Sequence, residues 1–422
     1  MKTLIRLMVC LCLGGTLTCC THRASHTESL KARDGLPNFF HKVLNNETAK
    51  IVFLGGSITH HAGYRVQATD WLETQYPAVH IETVNSAIGG TGSDLGVFRT
   101  DRDVLVHNPD LVFVEFAVND AKTDSLVICN SMEGIVRKIR KHNPNADICF
   151  LYTLNMSMLD DLKSGRTYRS VRYMERIAEY YGIPSVDFSK DVMSLLEKDE
   201  LIFKGEKDKD YGKRIVFTTD GTHPTTEGGH VIYTQTLTNA LKRLSENSSL
   251  KTYTLHEPLY PENYEKAKMI PAQDFPHTVG WQVVQEDDKA LKYFQGSPNV
   301  LPTAIASANP TDSITIRFRG TRAGIFDIIG PSSGGITVST DGNGPIYIRR
   351  FDSYCGNRNR TSYRLFEPLE DGEHTVIIRP DNRAFDKEEI YGSNPKVIAE
   401  TEYFNEFNAY IGNVLLIGEL IE

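Results

Sequence analysis

Five short strand-like segments between Lys50 and Asp187 alternate with stretches of helical spacing. Ile51-Val52-Phe53-Leu54 stops at Gly55-Gly56, and Ile81-Glu82-Thr83-Val84 leads into Asn85. Leu111-Val112-Phe113-Val114-Glu115-Phe116 is the strongest run; Ile148-Cys149-Phe150-Leu151 and Pro184-Ser185-Val186-Asp187 follow. Continuous apolar runs of this length suit strands covered on both faces. Residues 64–76, 131–142, 168–181 and 225–244 read as helices. The second ends in Arg140-Lys141-His142, a basic turn that complements the helix dipole. Strands alternating with helices predict a parallel sheet with helices on both faces, a three-layer α/β/α domain over residues 48–245.

The texture changes after Ser245. Residues 246–275, with Pro258, Pro261 and Pro271 among polar positions, read as a linker. Beyond it come alternating stretches such as Ser313–Phe318, Gly335–Ser339 and His374–Ile378, with tight-turn signals at Asp341-Gly342, Asn343-Gly344 and Asp371-Gly372. They predict a C-terminal antiparallel β-sandwich, jelly-roll-like, over residues 276–422. Trp281 reads as a core residue or as a platform for a sugar ring. The sandwich itself reads as an accessory unit that extends a binding surface or as a structural partner of the first domain. A chain of 422 residues has room for both domains.

The N-terminus carries a targeting signal. Lys2 and Arg6 precede an apolar stretch from Leu7 to Leu17 that is too short to span a bilayer and suits a signal-peptide core over residues 1–20. Leu17-Thr18-Cys19-Cys20 resembles a bacterial lipoprotein processing site, with Cys20 the expected lipidated residue and Cys19 the alternative. A plain secretory signal is the other reading. Residues 21–47 then read as a tether and entry segment. The expected location is the bacterial cell envelope, with membrane attachment by lipid only. Cys129, Cys149 and Cys355 make no disulfide framework and read as small buried hydrophobes. The formal net charge of −8, from 46 basic and 54 acidic residues, gives no general pull toward nucleic acid, and none is expected as a partner.

Four blocks sit at strand ends or a helix start, where α/β sheets place ligands. Gly55-Gly56-Ser57-Ile58-Thr59 puts a hydroxyl just past the first buried strand. Asn85-Ser86-Ala87-Ile88-Gly89-Gly90-Thr91-Gly92 is a loop whose backbone N–H groups suit an anion. Glu115-Phe116-Ala117-Val118-Asn119-Asp120 brings a side-chain amide to the end of the strongest strand. In Asp220-Gly221-Thr222-His223-Pro224, Asp220 is placed to accept the Nδ1 proton of His223, leaving Nε2 to take a proton from a serine. Pro224 fits the first turn of the following helix. Each block alone reads equally as a turn or cap; their joint occurrence in this order does not.

Together they resemble the SGNH, or GDSL-type, esterase superfamily over residues 48–245. The resemblance maps the name-giving residues to Ser57, Gly90, Asn119 and His223, with Asp220 completing a triad. Gly90 is chosen by its offset from Asn85. The resemblance implies attack by Ser57, proton transfer by His223, orientation by Asp220, and an oxyanion hole formed by the N–H groups of Ser57 and Gly90 with the Asn119 side chain. It implies no cofactor. His60-His61 beside the serine lacks the company of a metal motif, and no metal is expected. Two positions depart from the family: Gly56 stands for the usual aspartate before the serine, and Ala117 for the usual glycine before the asparagine. The first departure requires another brace for the nucleophile loop. Export and the sandwich further resemble bacterial carbohydrate O-acetylesterases, which makes an acetylated glycan or other small ester the expected substrate. The alternatives are a lipid esterase or thioesterase, and a non-catalytic glycan-binding lipoprotein on a hydrolase fold.

Overall fold

The computed structural model describes residues 28–206, 209–285, 300–392 and 403–421. The expected signal segment, with Cys19 and Cys20, lies outside the described residues.

The first sheet consists of β1 (Leu30–Lys31), β2 (Ala49–Gly55), β3 (Ile81–Asn85), β4 (Leu111–Glu115), β5 (Asp147–Tyr152) and β6 (Ser185–Asp187), in the order β1-β6-β5-β4-β2-β3. β2 to β6 run parallel. β1 closes one edge antiparallel to β6, so the sheet is mixed rather than wholly parallel. β4 and β5 are buried along their whole length, as their apolar stretches Leu111–Val114 and Ile148–Leu151 require. Helices cover both faces. The strand order reverses between β2 and β4, which open the crevice where ligands bind in such folds. A separate parallel pair, β7 (Leu201–Lys204) and β8 (Ile215–Thr218), leads into the Asp220 loop.

Within the entry segment, Pro37–Leu44 forms a helix that buries Phe39, Phe40 and Val43. The last helix of the domain spans Gly229–Leu244 and not 225–244. Pro224 therefore lies outside it, in an antiparallel bridge to Thr218 that tightens the loop.

The C-terminal domain is built from β9 (Ala267–Pro271), β10 (Gln282–Val283), β11 (Ile305–Ser307), β12 (Ile314–Ile329), β13 (Gly335–Thr340), β14 (Ile346–Arg349), β15 (Arg360–Leu365), β16 (Gly372–Asp381) and β17 (Ala409–Leu420). All their pairings are antiparallel. The long β12 pairs with β16 through its first half and with β15 through its second, and with β17 along most of its length, so one strand joins the domain together. Trp281 is buried with Phe275, Ile316 and Phe318 in the sandwich core, so it is not a sugar platform. Cys129, Cys149 and Cys355 are buried free thiols.

The stretch expected as a linker is ordered along both domains. The Tyr253 hydroxyl donates to the buried Asp147 at 2.7 Å, and Glu133 accepts the N–H groups of Leu259 and Tyr260 at 2.6 and 2.7 Å. Its last residues form β9, which pairs with β17. The reason is a shared interior. Val97, Phe98, Ile135 and Ile139 of the first domain belong to one apolar cluster with Phe326, Ile328, Tyr410 and Leu415 of the second. The helix Ser125–His142 is consequently buried nearly all round. Its polar residues find partners in the new environment: Lys138 donates to the carbonyls of Val97 and Ala267, and Arg137 pairs with Glu265 at 2.6 Å.

Candidate active site

β2 delivers the first group. The strand stops at Gly55, and Ser57 opens a single helical turn, Ser57–His60, so its N–H is among those left without an intrahelical acceptor. Ser57 is half-buried at the crevice. Its Oγ lies 2.8 Å from Nε2 of His223, whose Nδ1 lies 2.7 Å from Oδ2 of Asp220. The other carboxylate oxygen of Asp220 accepts the N–H groups of Thr222 and His223 at 2.7 and 2.8 Å and the Thr218 hydroxyl at 3.0 Å. Partial burial opposes the Asp220 charge, but the hydrogen bond from His223 and those from the loop outweigh it and hold the carboxyl well below its usual range. An ionised Asp220 makes Nδ1 the donor, which leaves Nε2 to accept the serine proton.

The remaining predicted groups gather at the same mouth. Asn119 opens a short 3₁₀ turn, Asn119–Lys122, beyond β4 and leans over Gly56. A side chain at residue 56 would put its Cβ 2.1 Å from the Asn119 amide oxygen, so in this arrangement any larger residue would displace the Asn119 side chain. The loop after β3 is hooked to β2 by the N–H of Ile88 donating to the Gly55 carbonyl at 3.0 Å. Within it Gly89 abuts the Ser57 side chain, and Gly90 turns the chain with φ of +74°. The hydrogen-bond chain can carry a proton from the serine, and the surrounding donors suit a developing oxyanion.

The brace required by the missing aspartate is Glu115. This carboxyl is buried at the end of β4, where it accepts the Thr59 hydroxyl at 2.8 Å, the Thr153 hydroxyl at 2.6 Å and the Gly56 N–H. The Tyr64 hydroxyl meets Thr59 at 2.7 Å. Burial pushes the Glu115 carboxyl up, against these hydrogen bonds. The signal was a charged residue inside the strongest apolar run. Arg99, also missed, is wholly buried and donates to the Ser86 carbonyl and, at 3.2 Å, to that of Gly55, fixing the exits of β2 and β3 together. Glu115→Ala should destabilise the protein by roughly 3 kcal/mol or more, because buried donors lose their acceptor. Glu115→Gln, which keeps the shape, should cost less. Urea unfolding measures both; an alanine variant of wild-type stability would contradict the brace.

His61 lies beside His223, with ring centroids 5.1 Å apart and the planes tilted by 37°. Burial, and then the neighbouring His223 and His60, lower its basicity, with Asp220 opposing. His60 points elsewhere, with Nδ1 2.9 Å from the Ala87 carbonyl. Among the described residues, no three His, Cys, Asp or Glu side chains are grouped to hold a metal ion.

Residues 53–231 match the sequence profile of the GDSL-like lipase/acylhydrolase family. The first domain is a GDSL-like acylhydrolase. The GDSL-like domain makes this chain a carboxylic ester hydrolase, and it encloses all four blocks. No curated protein matches the sequence. Among solved structures, a two-domain esterase active on acetylated mannans is similar across both domains. It is 20% identical, the match covers 94% of this chain and 99% of that one, and the TM-score is 0.68 in its crystal with mannopentaose. A second crystal structure of that esterase gives the same identity and score. An acetylxylan esterase from Geobacillus stearothermophilus is 20% identical over 46% of this chain and 94% of its own, with a TM-score of 0.35. At these identities the likeness is one of fold. The GDSL-like domain and its sandwich thus form a two-domain architecture already seen in an esterase.

Proposed function

We propose that this protein is a serine esterase that removes acetyl groups from polysaccharide. The carrying observation is the continuous chain Ser57–His223–Asp220, with links of 2.8 and 2.7 Å, opening beside Asn119 and the Gly89-Gly90 loop. In this reading Ser57 Oγ attacks the ester carbonyl carbon while its proton passes to His223 Nε2. Asp220 stabilises the imidazolium. The negative oxygen of the tetrahedral intermediate is held by the N–H groups of Ser57 and Gly90 and by the Asn119 amide. His223 returns the proton to the leaving sugar oxygen, and the carbon–oxygen bond breaks. A water then repeats the sequence on the acetyl-enzyme and releases acetate and free Ser57. The acetyl-glycan substrate is supported by the two-domain likeness, since the similar esterase acts on acetylated mannans. Acetate release from acetylated mannan, compared with hydrolysis of long-chain acyl esters, tests it. Preference for the long chains would make the protein a lipid esterase.

The site of action belongs to the same proposal. The protein is an exported lipoprotein of the cell envelope, anchored through Cys20 or Cys19. Metabolic labelling with a fatty-acid analogue should mark the wild type, and replacing both cysteines should abolish the label. Unlabelled, soluble wild-type protein would contradict the anchor.

A further inference from the structure

The crevice is tied to the second domain at one polar point. Tyr363 on β15 lies opposite Phe326 of β12, on the sandwich face whose Phe326 and Ile328 enter the shared core. Its hydroxyl donates to both oxygens of Asp94, at 2.9 and 3.0 Å, across 269 residues of sequence. The same hydroxyl meets the N–H of Gly92. Asp94 is in the first turn of the helix Ser93–Asp103, and Gly92 caps that helix.

From there the contacts run back to the reacting centre. Gly92 is wedged between two carboxyls: a Cβ on it would lie 2.3 Å from Asp120 Oδ1 and 2.9 Å from Asp94 Oδ1. Asp120 is wholly buried and accepts the Ser93 N–H at 3.0 Å. Burial, with Asp94 and Glu115 nearby, pushes Asp120 up to about 8. Burial and Asp94 push the Tyr363 hydroxyl up as well, so it remains a donor. Asp120 follows Asn119 directly, and Gly92 closes the turn that begins at Gly89. One network therefore grips both loops that supply oxyanion donors, and its outer end is held by the sandwich.

We propose that Tyr363 is a positioning residue of the active site: through Asp94 and Gly92 the second domain sets the geometry of the Gly89–Gly92 turn and of Asn119. The inference rests on the esterase reading of the crevice. It gives the sandwich a part in turnover of small esters that never reach a glycan surface. It acts on kcat, because a donor displaced from the transition-state oxygen loses most where charge is greatest.

The test measures kcat, KM and melting temperature on para-nitrophenyl acetate for full-length variants. Tyr363→Phe should lower kcat by roughly tenfold to a hundredfold, the scale produced by an ångström of misplacement, with KM unchanged. Asp94→Ala should follow it. Asp94→Asn, which keeps an oxygen to accept from Tyr363, should recover much of the rate. Ile328→Val loosens the same interdomain core without removing a hydrogen-bonding group of the network; it should lower the melting temperature and leave kcat unchanged. Wild-type kcat in Tyr363→Phe overturns the inference. So does a loss of kcat that tracks melting temperature through all variants, Ile328→Val included. Ser57→Ala in the same series separates the two levels. If it is inert while Tyr363→Phe is normal, the esterase reading stands and the inference falls. If Ser57→Ala is active, both fall.

Discussion

Replacing Ser57 by alanine should lower kcat by roughly 10⁴-fold or more on any ester the protein accepts, because the proposed acyl-enzyme forms on its hydroxyl. The fold should survive. Ser57 is half-buried at the crevice rather than in the core, and the loop is held by other groups. Glu115 grips the Gly56 N–H and Thr59, and Arg99 grips the carbonyls of Gly55 and Ser86. A melting curve matching the wild type alongside absent turnover is the expected pair of results. An alanine variant that turns over near the wild-type rate would remove Ser57 from the mechanism.

Asn119→Ala should lower kcat by roughly 10²–10³, the usual effect of losing one oxyanion donor, with little change in KM. The side chain lies directly over Gly56, next to Ser57, and its neighbour Asp120 is locked by the Ser93 N–H. Truncation leaves the backbone donors of Ser57 and Gly90 in place, so activity falls without vanishing. Asn119→Asp should be worse than alanine, since a carboxylate there repels the charge that develops on the substrate oxygen. Steady-state kinetics on a small acetyl ester decide the point. An unchanged kcat with a large rise in KM would make Asn119 a ground-state contact instead.

Much of the site was legible because its groups sit at strand ends. A hydroxyl after β2 and an amide after β4 emerge at one crevice because those strands run parallel side by side; the Asp/His pair was legible as the approach to the last helix, and the separate β7–β8 pair brings it to the same mouth. Glu115 was visible in the sequence as a charge in an apolar run, but its partners Thr59 and Thr153 come from separate elements and only the fold joins them. The helix Ser93–Asp103 gave no periodic signal. It is polar overall and carries Gly96, which the close-packed Phe116 ring requires. The interdomain core was hidden for a different reason. Glu133, Arg137 and Lys138 fall in a stretch that read only as a helix, yet they are buried, with partners that include residues 256–267. Sequence patterning reports which face is apolar; it does not report that a polar face will be covered by a distant segment. For the same reason the 246–275 stretch read as a linker, although its end forms a strand of the sandwich.

The central claim is that Ser57 is the residue acylated during turnover. It is tested most directly by reacting the full-length protein with a serine-reactive phosphonate and mapping the modified peptide by mass spectrometry. Ser57 sits 2.8 Å from His223, and the account predicts a single adduct on Ser57, formed with loss of activity and prevented in His223→Ala. An adduct on another serine, or full activity in protein modified at Ser57, would contradict it.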